Sequence, residues 1–197
     1  MATSETEICN SALNKIGAKT ILNLDEESKA GRLCKKQYPL IRDEVLASHL
    51  WNFAIKRQEL SKLASAPAFE YTVAHSLPAD CLRVLKTDLN LSPAGQTERK
   101  WKIENLDDAK VLVSDNDEVF IMYIAKITDV SLYSASFVEA LAWRLAADFA
   151  YPLTNSNTLA QNMFAIFEDR ISKARSFDGQ EGSLDIVDAS EWTTVRI

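Results

Sequence analysis

Two histidines, three cysteines and several short acidic runs are the residues of this 197-residue chain with the means to do chemistry. His49 stands two residues before Trp51. It could act as a base or a metal ligand, but a helix-end or packing role is the commoner use of such a histidine. His75, just ahead of Leu77 and Pro78, offers the same pair of readings. Cys9, Cys34 and Cys81 are odd in number, far apart and without a CxxC, so neither a disulfide framework nor a zinc knuckle is indicated. Each is expected as a small buried apolar residue in a reducing cytoplasm. Asp107-Asp108 and Asp115-Asn116-Asp117-Glu118 carry the oxygens calcium would want, yet no glycine follows at the EF-hand position, and solvated turns between strands are expected instead.

The motif search ends there. No G-x-x-x-x-G-K-[ST], G-x-S-x-G, H-E-x-x-H or G-x-G-x-x-G occurs, and five glycines leave little for a loop that cradles phosphate. Trp51, Trp101, Trp143 and Trp192 are too scattered for a base-stacking platform, which needs aromatics interleaved with basic residues. The residues read as no enzyme, no metal and no cofactor. The formal charge of −6 opposes adhesion to a phosphate backbone, and no run of five or more Lys and Arg offsets it.

The elements that would position these residues are more legible. With 47% hydrophobic and 25% charged residues the composition is that of a globular protein, long enough for one good core and short of two full domains. The N-terminal MATSETEICNSAL lacks a basic n-region, so no signal peptide is expected. Val119 to Ile127 is the longest strongly apolar run and is too short to cross a bilayer as a helix.

Ser4 and Glu7 have capping-box spacing ahead of a short amphipathic helix that Gly17 stops. Asp25 is expected to cap a second helix with Glu26 and Glu27 in its first turn, and Pro39 to kink or break it near Lys36 to Tyr38. From Trp51 to Leu60 the period becomes that of a strand. Five or six short antiparallel strands are expected between 51 and 128, with Val119 to Ile127 central and covered on both faces. Ser136 and Glu139 predict a second capping box, Pro152 the end of that helix, and Asn155 to Asn157 the caps of a last one. The fold class is thus α+β: an antiparallel helical bundle of about four helices with an inserted antiparallel β region and an extended C-terminal tail. The divisions are 1–50 and 131–178 for the helices, 51–130 for the β region and 179–197 for the tail.

The junction from Cys34 to Arg57, CKKQYPLIRDEVLASHLWNFAIKR, resembles the head-to-tail adaptor family of tailed phages, also called tail tubular protein A. Tyr38, Pro39, Arg42, Asp43, Leu46, His49, Trp51, Phe53, Ala54 and Arg57 carry the resemblance, and the general layout agrees from about Glu7 to about Phe177. It implies a structural protein of the virion neck, found in the host cytoplasm during assembly. Copies form a ring, commonly of twelve, between the portal and a downstream tail or nozzle protein. DNA passes through the lumen without sequence-specific binding, and no membrane is involved.

Three contact regions are expected on this footing. The tail, through Leu184, Ile186, Val187, Trp192, Val195 and Ile197, is expected either to fold back on its own domain or to dock on the portal. The polar loop Asn90 to Arg99 would reach a neighbour or the next tail component, and Arg42, Glu44, Arg144 and Asp148 would join subunits. Two rival readings stand beside it: a monomeric intracellular helical binding or regulatory module, and a small enzyme.

Overall fold

The computed structural model describes residues 4–88 and 100–181. It is an α+β fold of four α-helices and, among the described residues, seven strands in two antiparallel sheets. Helix α1 (Glu5–Lys15) starts where the Ser4 side chain accepts from Glu7 N, and ends before Gly17 at φ 69°. Ile8, Cys9, Ala12 and Leu13 form its buried stripe. The Asn10 side chain then holds the Ile21 backbone at both its N–H (2.8 Å) and its carbonyl (2.9 Å), folding the following loop back on α1.

Helix α2 (Lys29–Ala47) departs from expectation twice. Its cap is Ser28, which accepts from Gly31 N at 3.0 Å. Asp25 instead pairs with Lys35, and Glu26 accepts from Leu22 N, so these acids shape the loop before the helix. Nor does Pro39 break α2, which runs through it for two further turns. Proline costs a hydrogen bond in a helix interior, but burial of Tyr38, Ile41, Val45 and Leu46 around it outweighs that loss. Gly31 is required by a close approach. A Cβ there would lie 2.2 Å from the Glu26 carbonyl oxygen, where the loop crosses the first turn of α2.

The chain does not enter a strand at Trp51. Asn52–Ala54 is a 3₁₀ turn, and β1 is Ile55–Glu59. The alternation at Trp51 and Phe53 reflects two rings turned into one aromatic cluster. Trp51 is fully buried, donates from Nε1 to Val45 O at 3.0 Å, and meets Phe137 edge-on at 5.0 Å. Phe53 and Tyr133 complete the cluster against Phe137 at 5.1 and 4.9 Å.

Beyond β1 come β2 (Ser61–Lys62), β3 (Val73–Ser76), β4 (Cys81–Thr87), β5 (Trp101–Leu106), β6 (Ala109–Ser114) and β7 (Phe120–Ala125). One sheet has the order β1-β7-β4 and the other β2-β3-β6-β5. Strand β2 is only the pair Ser61–Lys62. Strand β7 is central, as its apolar run predicts, but it is not covered on both faces: Phe120 is 47% exposed. The larger core joins the helices to the three-stranded sheet. Tyr71, Ala74, Val111 and Val113 form a satellite core under the other.

Helix α3 (Ala135–Thr154) is capped by Ser134, which accepts from Phe137 N, and not by Ser136. It continues past Pro152 to Asn155, whose left-handed conformation (φ 55°) ends it. The Pro152 carbonyl accepts from Lys29 Nζ, a cation at a helix C-terminus. Helix α4 (Asn157–Asp178) begins at Ser156, within the stretch expected to cap it, and packs along α3. Helices α1 and α2 also contact α3.

Candidate interaction site

Most of the residues carrying the resemblance lie at one junction, while Arg57 stands exposed on β1. Arg42 is buried with 4% of its side chain exposed. It pairs with Asp43 at 2.8 Å and Glu5 at 3.5 Å, and its guanidinium lies over the Tyr38 ring at 5.8 Å. Asp43 also takes Lys126 at 3.1 Å, so one charged chain links α1, α2 and the segment after β7. A buried arginine demands such partners, since desolvation of an unpaired charge is costly.

On the other side of the junction, Asp178 at the end of α4 is nearly buried. Its two carboxylate oxygens accept from Asn52 N at 3.1 and 3.2 Å, and its carbonyl accepts from Asn52 Nδ2 at 2.6 Å. His49 Nε2 lies 3.6 Å from the same carboxylate, while its ring meets Trp51 edge-on at 4.8 Å. Burial holds His49 below the ordinary histidine range. The Asp178 carboxylate opposes that shift, and Arg175 and Arg83 add to it.

Ser48, His49 and Asp178 have the residue types of a nucleophilic triad but not its geometry. The Ser48 hydroxyl donates to Val45 O at 2.8 Å and accepts from Arg175 at 3.2 Å. Its proton caps a helix and no bond joins it to His49. The cluster locks the end of α4 to the start of the β region.

Arg144 on α3 makes a second network, nearer the surface. It pairs with Asp148 and, at 3.3 Å, with Glu44 of α2, and its guanidinium lies 5.7 Å from the Phe164 ring on α4. The four residues expected to join subunits therefore already hold partners within their own chain, and Arg42 faces inward. Leu184, Ile186, Val187, Trp192, Val195 and Ile197 lie outside the described residues, as does the loop Asn90 to Arg99.

The remaining chemical candidates sit in structural roles. His75 is fully buried, with Nε2 3.2 Å from Asp117 O. Asp115 accepts from Thr72 N and Oγ1, and Asp117 pairs with Lys62. Asp107 and Asp108 form the turn between β5 and β6 at φ 49° and 61°. Cys9 and Cys34, far apart in sequence, are both buried, on α1 and α2, and the neighbouring Cys34 thiol together with burial raises the Cys9 thiol. Among the described residues no three His, Cys, Asp or Glu stand close enough to hold a metal ion, and no helix is long and apolar enough to cross a membrane.

Sequence reasoning missed two features. One is the Asp178 lock, whose only signal is an acid next to the helix-ending Gly179. The other is a groove on the three-stranded sheet, beside Phe120 and Met122, that no described residue covers. Hydrophobicity alone hides it, because exposed and buried residues of β7 are equally apolar. No protein-family model matches the chain, and no curated protein matches it.

Proposed function

We propose that this chain is a structural head-to-tail adaptor of a tailed bacteriophage. In this reading its helices act as an antiparallel bundle, and residues 179–197 extend as a tail that docks on the portal protein. Copies form a ring, on the family pattern of twelve, that joins portal to downstream tail and lets DNA through. The observation that carries the proposal is the Cys34 to Arg57 junction, whose residues resemble the family's and here bind helices to sheet instead of converging on a reaction site. Helices before and after the strands support the same reading.

Twelve copies at −6 each carry a formal charge of −72. A lumen lined by part of that charge would repel DNA and let it slide. A ring requires heterologous contacts, one face of each subunit fitting a different face of the next.

Sizing the purified protein alone and mixed with the portal of the same phage tests the proposal. Co-elution in a large complex is expected, and its loss on deletion of residues 184–197 with the domain still folded. No complex with the portal contradicts the reading; unaffected binding after the deletion rejects the tail as the docking element. One observation favours a monomeric binding module for the free protein: Glu44, Arg144 and Asp148 pair with one another within the chain. That reading predicts a monomer with and without portal.

A further inference from the structure

The groove beside Phe120 and Met122, about 350 Å³ in volume, is open among the described residues and lies where β1, β7 and β4 run side by side. Arg57 and Lys86 both pair in register with Met122. Glu59 pairs with Phe120, and Asp88 accepts from Phe120 N at 2.9 Å. Residues opposed across antiparallel strands share a face. The outward face therefore shows two rows, cation–Met122–cation and acid–Phe120–acid. The alternate residues Thr87 and Ile121 are buried on the inward face. Arg57, Lys86 and Glu59 make no ion pair among the described residues.

We infer that this face docks a second copy of the chain. A twofold axis in the plane of contact, parallel to the rows and midway between them, sets the cation row of each copy on the acid row of the other. The same rotation sets Phe120 on Met122, a favourable sulfur–aromatic contact. The four charges sum to zero, and a partner of one sign would be repelled by one row, so the face complements itself better than it complements nucleic acid or a uniformly charged protein. Six side chains a copy fall short of the roughly 20 to 30 residues a side of a standard interface, so the pair is weak and depends on concentration. Such a contact is isologous and closes at two copies, whereas a ring needs heterologous contacts. It goes beyond the adaptor reading, and the two fail separately.

Sedimentation of the whole chain up to several hundred micromolar tests it, with two variants altered only at exposed positions. Arg57→Glu with Lys86→Glu makes both rows acidic; Glu59→Lys makes the face mainly basic. The native chain is expected to form dimers, each variant alone to dimerise at least about tenfold more weakly, and their mixture to recover the dimer. Circular dichroism verifies that both variants fold. A native chain that stays monomeric, variants that associate like the native chain, a mixture that recovers nothing, or larger particles indifferent to the swaps would each overturn the inference.

Discussion

His49 illustrates how burial, and not its nearest charge, sets a side chain's behaviour. Desolvation depresses its proton affinity despite an Asp178 carboxylate at 3.6 Å. An unfolded histidine titrates near 6.5, so between that value and the folded one the unfolded chain binds more protons. The neutral imidazole's contribution to stability is complete above about pH 6.5 and is lost as pH falls through the folded value. The His49 proton signals in a magnetic-resonance titration should show a midpoint below 6.5, and His49→Gln should flatten that part of the stability profile. A midpoint above 6.5 would mean that the carboxylate dominates. At Asp178 the expected effect is larger. Asp178→Ala leaves the Asn52 N–H without its acceptor and should cost about 1–3 kcal/mol in urea unfolding. An unchanged midpoint would deny that the lock exists.

Capping and packing decide the elements, and the sequence shows them unequally. Ser4, Gly17 and the apolar stripes are local signals, and the helices they bound are where those signals place them. The prolines mislead because the penalty is local and the compensation is not: Pro39 lies inside a helix whose Tyr38, Ile41 and Val45 are buried, and Pro152 falls in the last turn of α3, two residues before its end. Trp51 and Phe53 mimic a strand because a 3₁₀ turn can also send both rings into one cluster. Whether Ser134 or Ser136 caps α3 depends on the backbone entering it, and spacing alone does not reveal that. Pro39→Ala restores a donor inside α2 and should raise stability by about 1–3 kcal/mol; a lower thermal midpoint would show that the fold needs the ring. Gly31→Ala runs the other way. Its methyl meets backbone, which cannot rotate aside, and a loss of about 1–3 kcal/mol is expected in the same assay. Equal stability would mean that the loop over α2 moves away freely.

At the scale of the molecule, buried networks join what the chain separates. Arg42 links both early helices to the segment after β7, and Asp178 links the last helix to the start of the β region. These contacts tie elements distant in sequence into one domain. The sequence reveals one side of the junction, clustered within Cys34 to Arg57, and hides Glu5, Lys126 and Asp178, which meet it from far along the chain. It does not reveal partners, which lie in surfaces whose complement is another molecule. Electron-microscope imaging of the protein mixed with portal particles is the most direct test. The account predicts a ring of copies, near twelve, stacked on the portal around an open channel. Bare portals beside separate small globules would contradict it.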